Sequence, residues 1–272
     1  MGREINKDTV LCMSLAARPS NHGTRFHNFL YDELGLNYVY KAFTTTDLAA
    51  AIGGIRALGI RGCGVSMPYK EECIRYVDAM EPSAEAIRSV NTIVNTDGYL
   101  RAYNTDYIAI ATLLAEHGVA TDSDFAVLGS GGMAKAVVAA LRDGGFGTGT
   151  VVARNEQTGK TLADRYGYTW RPALGPARPR LIVNATPVGM AGGPVAEDLP
   201  VDADVVDAAE TVFDVVAMPV LTPLVRRGQA RGKKVITGGE VISLQALEQF
   251  ALYTGVRPTV DQVRRASEYA RS

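Results

Sequence analysis

The run Phe125-Ala126-Val127-Leu128-Gly129-Ser130-Gly131-Gly132-Met133 restricts the fold of this chain more than any other segment. Four consecutive apolar residues suit a strand buried on both faces, and such strands belong to parallel sheets covered by helices. The glycines permit a tight turn, and the alanine-rich residues 134–142 continue as a helix. A strand, a glycine turn and a helix in succession let backbone N–H groups and a helix N-terminus approach a pyrophosphate. The same glycines would also suit a turn that binds nothing.

The texture repeats downstream. Residues 150–153 read as a strand, 156–166 as a helix and 181–184 as a strand, with two more apolar strands expected at 204–207 and 234–236. After Gly238-Gly239 come two amphipathic helices, roughly 240–254 and 259–271. Upstream, residues 9–15, 38–43 and 60–66 are strand-like, and Phe26, Phe29, Leu30 and Leu34 recur at helical spacing. Pro68 closes the third of these strands. Residues 91–95 and 99–102 flank Thr96-Asp97-Gly98, a hairpin signal. Thr105 opens a helix that runs to Gly118. Trp170, near Pro172, is expected to pack under a loop. The 272 residues suit two modest domains, and the pattern predicts two α/β domains with a cleft between them.

Composition excludes several classes of function. A formal net charge of −1 creates no general field for nucleic acid or an anionic membrane. No apolar run reaches the length of a membrane span, and the polar first eight residues lack a signal-peptide core, so a cytoplasmic location is expected. Cys12, Cys63 and Cys73 show no metal-like spacing and read as small buried hydrophobes in a reducing compartment. His22, His27 and His117 lack mutual ligand spacing, so no metal site is expected.

Two short segments carry ionisable residues. Gly64-Val65-Ser66-Met67-Pro68-Tyr69-Lys70 ends in an ammonium, and Asn104-Thr105-Asp106 ends in a carboxylate. Beside a nicotinamide, such a pair would move a proton while the cofactor moves a hydride. Either residue alone would ordinarily be a solvated surface group. Taken together with the glycine turn, these segments resemble the shikimate dehydrogenase family, whose motifs recur in order along nearly the whole chain. The first matches the family's x-Val-(Thr/Ser)-x-Pro-x-Lys, and the second its Asn-Thr-Asp. The resemblance implies that Lys70 is the acid–base residue and Asp106 its partner. It assigns Ser66, Asn91 and Gln245 to substrate hydroxyls, together with Lys70 and Asp106. Thr105 would bond locally or cap the helix it opens. It also implies an N-terminal α/β substrate domain (1–106 plus 240–272, through returning C-terminal helices) and a Rossmann-type dinucleotide-binding domain (107–239).

The cofactor end resembles the family's Gly-Ala-Gly-Gly-Ala-x-(Arg/Lys)-Ala turn, with Ser130 and Met133 substituted beside Gly129, Gly131 and Gly132. At the next strand end, Ala153-Arg154-Asn155 has no carboxylate before Glu156, whereas NAD binders tend to place an acid there. The family's NADP pattern is Asn-Arg-Thr with a second basic residue four positions after the arginine. Arg154 matches, Asn155 replaces the threonine and Thr158 replaces the second base. NADP is therefore expected through a loose 2′-phosphate clamp, to which Lys160 could add, with NAD as the weaker alternative. Asn184-Ala185-Thr186-Pro187-Val188-Gly189-Met190 resembles the family's Asn-Ala-Thr-x-x-Gly-Met loop, though alone it could be any strand-end turn. Gly238 matches the glycine near the nicotinamide, and Val241 stands where methionine is usual.

The substrate end departs from the pattern. The family's His-Ser-x-Ser-Pro-x-x-His-Asn, anchored on His27-Asn28, places Asn21 and Gly23 where two serines hold the substrate carboxylate. Asn21, Ser20 or Thr24 could still bond it, and Arg25 could pair with it if it pointed inward. Ala217 falls where the family has a substrate-facing tyrosine. Losing one hydrogen bond to a charge costs about 1.5–3 kcal/mol, or roughly ten-fold or more in affinity. The resemblance as a whole implies an NADP-dependent oxidoreductase interconverting shikimate and 3-dehydroshikimate. The alternatives are an enzyme preferring quinate or another cyclic hydroxy acid, and a non-catalytic nucleotide-binding regulator, against which Lys70 and Asp106 argue. The expected partner is a small cyclic hydroxy acid, and the chain is expected as a monomer or homodimer.

Overall fold

Residues 4–271 are described by a computed structural model. The chain forms two compact units, one running to Thr105 and resuming at Ser243, the other spanning Asp106–Ile242. In chain order the first unit contains β1 (Val10–Leu15), α1 (His22–Glu33), β2 (Tyr38–Phe43), α2 (Leu48–Ala57), β3 (Gly62–Val65) and α3 (Tyr69–Glu72). A short 3₁₀ turn, Cys73–Tyr76, leads to β4 (Ala79–Met80), α4 (Pro82–Ile87), β5 (Thr92–Thr96) and β6 (Tyr99–Tyr103), after which α5 (Thr105–Glu116) begins.

The sheet of this unit has the order β2-β1-β3-β5-β6-β4. Its left half, β2-β1-β3, is parallel, whereas β5 runs antiparallel to both β3 and β6. Asp97 and Gly98 turn the β5–β6 hairpin at φ 52° and 88°, the left-handed backbone that an Asp-Gly pair tolerates. Alternate residues of β1 serve opposite faces. Met13 and Leu15 join Ile52, Ile55 and Ile93, while Cys12 joins Phe26, Tyr31, Tyr40 and Tyr253. All three cysteines are buried and unbridged, and burial pushes the Cys12 and Cys73 thiols up to about 12.

The second unit carries β7 (Phe125–Leu128), α6 (Gly132–Asp143), β8 (Gly149–Val152), α7 (Glu156–Tyr166), β9 (Thr169–Arg171) and β10 (Leu181–Asn184). It continues with α8 (Ala203–Ala208), β11 (Thr211–Asp214), α9 (Pro223–Ala230) and β12 (Lys234–Ile236). Its sheet is parallel throughout, in the order β12-β11-β10-β7-β8-β9. The chain works outward from β7 to β9, then returns to β10 on the other side of β7. This doubly wound arrangement has its switch point between β7 and β10, where such folds bind ligands outside the carboxyl ends of the strands. Two helices close the chain, α10 (Gly238–Thr254) and α11 (Val260–Arg271). Within the first unit, Ala246, Phe250 and Tyr253 of α10 and Ala266 and Ala270 of α11 pack with Phe26 and Leu30 of α1. No helix among the described residues is long and apolar enough to cross a membrane.

Two expectations are corrected here, and two helices are added. Residues 204–207 form helix α8, not a strand; Val205 and Val206 are both buried, a pairing too short for periodicity to separate the two states. The strand follows at β11, where Thr-Val-Phe-Asp is wholly buried. Trp170 lies on edge strand β9 rather than under a loop, and its Nε1–H donates to the Ala153 carbonyl at 3.1 Å. Helices α2 and α9, absent from the sequence reading, each start at a side-chain cap, Asp47 and Thr222.

Candidate functional site

The first unit gathers its polar residues at the ends of β3 and β5. Val65 donates its N–H to the Asn91 carbonyl at 2.7 Å, and Val90 donates to the Lys70 carbonyl at 2.8 Å. Ser66 is exposed directly after β3, and Lys70 sits half-buried in the single turn α3. Asn91 is buried, and its side-chain oxygen accepts from the Thr105 backbone N–H at 2.8 Å, the Thr105 hydroxyl at 3.2 Å and the Thr92 hydroxyl at 2.9 Å. Asn104 is held alongside, its amide donating to the Ser89 carbonyl and its backbone N–H to Ser83 Oγ. Lys70 and Asp106 thus each adjoin, through bonded or covalent neighbours, the two residues Val90-Asn91.

Helix α10 completes this patch with a residue the sequence reading missed. Gln249 is buried, and its Nε2 donates to the Asn91 carbonyl at 3.2 Å and to the Thr92 hydroxyl at 2.9 Å. Gln245 is half-buried one turn earlier, on the same helix face. That i, i+4 spacing was the available signal for Gln249.

The residues replacing the two serines stand at the start of α1. Asn21 is exposed at the N-cap and makes no side-chain cap bond. A Cβ on Gly23 would stand 3.5 Å from both the Cε1 and the hydroxyl of Tyr40. A Cβ on Gly64 would meet that hydroxyl at 2.9 Å and Gln249 Nε2 at 3.5 Å. The buried Tyr40 ring therefore lies against both Gly23 and Gly64, linking the start of α1 to the end of β3. Arg25, two residues on, lies round the helix, lining a surface groove with Phe29, Asp32, Glu33 and Arg265. It faces away from Gly23, so it is not the inward cation considered from the sequence.

The aromatic floor beneath includes His27, fully buried and stacked on Tyr40 with ring centroids 4.4 Å apart. Burial holds its pKa down to about 3, so it is neutral.

In the second unit, the glycine turn stands at the carboxyl end of β7. Gly129 adopts φ 112°, and a Cβ there would meet the Ala185 carbonyl oxygen at 2.8 Å, so only glycine fits. Ala185 donates its N–H to the Leu128 carbonyl at 2.9 Å, which brings the 184–190 loop directly against the turn. Gly131 caps α6, and Cβ atoms at Gly131 and Gly132 would meet nothing within 4 Å. The exposed backbone at the start of this twelve-residue helix suits a pyrophosphate. Met133 follows in the first turn.

After β8 come buried Ala153 and exposed Arg154, and Asn155 caps α7 by accepting from the Thr158 N–H at 3.0 Å. The Thr158 hydroxyl lies 2.7 Å from Ser130 Oγ, so the residue in place of the second base is tied to the glycine turn. Lys160 is exposed on α7.

The 184–190 loop is braced by Asn184, whose side-chain oxygen accepts from the Thr186 N–H and hydroxyl at 3.1 and 2.6 Å. Pro187 is exposed on the loop. At the start of α10, a Cβ on Gly238 would stand 2.2 Å from the Val216 carbonyl oxygen, so glycine is needed for the close approach. Val216 immediately precedes half-buried Ala217.

Comparison with known proteins places these features in context. A family model described as the shikimate dehydrogenase substrate binding domain matches residues 21–93. The chain is 55% identical over 268 residues to the shikimate dehydrogenase-like protein of Haemophilus influenzae, covering 98% of this chain and 99% of that one. It is 36% identical to the shikimate dehydrogenase (NADP(+)) of Moorella thermoacetica, covering 89% of this chain and 88% of the relative. Among solved structures, a shikimate 5-dehydrogenase-like protein matches with TM-score 0.98 and 55% identity, covering 99% and 100% of the two chains. The Thermus thermophilus shikimate 5-dehydrogenase, solved in complex with NADP(H) and shikimate, matches with TM-score 0.83 and 31% identity over 96% and 99%.

Proposed function

The chain belongs to the shikimate dehydrogenase family, and on that premise we propose that it interconverts shikimate and 3-dehydroshikimate with NADP. It is an oxidoreductase acting on a CH–OH group, with NADP as its cofactor. The observation that carries the reading is the Asn91 bracket. Its neighbour Val90 is bonded to Lys70, and its own side chain is bonded to Thr105, the residue before Asp106.

NADP, when bound, supplies or accepts the hydride. The residues of the chain do the rest. The open backbone of Gly131-Gly132 and the N-terminus of α6 receive the pyrophosphate, and Arg154 receives the 2′-phosphate. Lys70 Nζ takes the hydroxyl proton on oxidation and returns it on reduction, and the Asp106 carboxylate orients that ammonium. Ser66, Asn91 and Gln245 hold the ring hydroxyls; an amide suits a polyol because it both donates and accepts.

A second reading concerns the substrate alone. Gly23 offers no side chain, Asn21 stands exposed at the N-cap and Ala217 carries no hydroxyl, so the carboxylate end of the substrate meets fewer donors. A weaker carboxylate grip relaxes the selection for shikimate, and the second reading is that quinate or another cyclic hydroxy acid is the preferred substrate. Initial rates of nicotinamide reduction with shikimate and with quinate, each with NADP and with NAD, test both readings. Fast turnover of shikimate with NADP supports the first. Turnover only with another ring acid supports the second. A lack of hydride transfer with any cyclic hydroxy acid would leave a nucleotide-binding regulator.

A further inference from the structure

Asp214 is a buried carboxylate at the carboxyl end of β11, beside Asn184 in the strand register, and it has no part in the proton transfer above. Three donors converge on it. Asn184 Nδ2 and the Val216 N–H each reach Oδ1 at 3.0 Å, and the Thr222 hydroxyl reaches Oδ2 at 2.6 Å. All three are neutral. Burial pushes the carboxyl up to about 6, which leaves it ionised at neutral pH.

The donors come from two places at the ligand-binding edge of the sheet: Asn184 ends β10, while Val216 and Thr222 stand at opposite ends of the connection between β11 and α9. Asn184 Nδ2 also donates to the Val188 carbonyl at 3.0 Å, closing the 184–190 loop from inside. Ala185 of that loop is the residue that meets Gly129 of the glycine turn. Val216 is the residue that Gly238 packs against, and Thr222 caps α9 while standing against Gly189, where a Cβ would lie 3.2 Å from the Thr222 Cβ. One carboxylate therefore fixes the wall that faces the glycine turn across the switch point, where a dinucleotide enters a doubly wound sheet.

We propose that Asp214 is a positioning residue for the dinucleotide: by holding Asn184, Val216 and Thr222 together it sets the 184–190 loop against the glycine turn. This rests on the cofactor reading above and adds to it a residue that touches neither cofactor nor substrate. A buried carboxylate is costly for stability, since desolvation disfavours its charge. Its retention is accounted for by orientation: an amide in its place presents only one acceptor oxygen to three donors.

The test compares Asp214→Asn, Thr222→Val and Thr222→Ser with the parent protein. NADP affinity is measured by calorimetry, and backbone amide exchange is followed without cofactor. In Asp214→Asn and Thr222→Val the NADP dissociation constant rises by about five-fold or more, the effect of roughly one lost hydrogen bond. Thr222→Ser keeps the donor and stays within about two-fold of the parent. Exchange quickens at residues 185–190 and stays slow in β7. Should Asp214→Asn fail to fold, the two Thr222 variants decide. Affinity and loop exchange both unchanged in Asp214→Asn, or exchange raised uniformly through the unit, would overturn the proposal. Failure of the parent protein to bind NADP would instead count against the cofactor reading, and loop exchange alone would then judge Asp214.

Discussion

The side-chain oxygen of Asn91 accepts the Thr105 backbone N–H at 2.8 Å, so a buried amide at the start of β5 holds the first residue of α5. A helix N-terminus has backbone donors without intrahelical partners, and here a residue distant in sequence satisfies one of them. Asp106 inherits its position from that bond. Asn91→Ala removes an acceptor shared by three donors and leaves them buried. The expected loss is about 1–3 kcal/mol of stability, read from denaturant midpoints. Turnover should fall further than the fraction folded predicts, because the entry to α5 is no longer fixed. A variant with parental stability and parental turnover would show that the bracket is dispensable.

Lys70→Ala should lower turnover by about 10²–10⁴-fold, the usual contribution of a positioned acid–base group. NADP affinity should stay within about two-fold, because the glycine turn and Arg154 belong to the other unit. Stopped-flow hydride transfer with saturating NADP separates the two effects. Parental turnover in this variant would remove Lys70 from the mechanism.

Gly23→Ser is predicted to be tolerated and to improve the grip on a ring carboxylate. The added Cβ meets Tyr40 at 3.5 Å, which is ordinary contact. One new hydrogen bond to a charge is worth about 1.5–3 kcal/mol, so KM for shikimate should drop roughly ten-fold or more. No change in KM would mean that position 23 does not face the carboxylate in this chain.

Burial of His27 is expected to make the protein acid-sensitive. Burial holds its folded pKa down to about 3, below the ordinary histidine value of 6.5, so the unfolded chain binds a proton more readily. The stability it contributes is complete above 6.5 and is lost as pH falls towards 3. The full effect is on the order of 5 kcal/mol at the low end of that window. His27→Phe, which keeps a ring on Tyr40, should flatten the fall in stability between pH 6.5 and 3. Urea titrations across that range would show it, and parallel pH profiles for parent and variant would refute it.

The parallel Rossmann-type unit was legible in the sequence because its signal is local. Phe125–Leu128, Leu181–Asn184 and the glycine turn are contiguous, and their apolar runs report burial on both faces without help from distant residues. The motif residues on Lys70, Asn91, Asp106 and Gly129 were legible for the same reason. Misreading began where short segments carry equal apolar content in either state. Val205-Val206 resembles the strand that Thr211–Asp214 in fact forms, and that likeness hides Asp214.

By itself, the sequence determined the family, the two α/β units and the residue types available for proton transfer and cofactor binding. Tertiary structure alone decided which of those residues meet. Gln249 reaches Asn91 across more than 150 positions of chain, Tyr40 stands between Gly23 and Gly64, and Asp214 joins the end of β10 to both ends of the β11–α9 connection. The physical reason is that periodicity and turn chemistry act over a few residues, whereas a buried polar group must find its partner wherever the packed chain brings one within hydrogen-bonding distance.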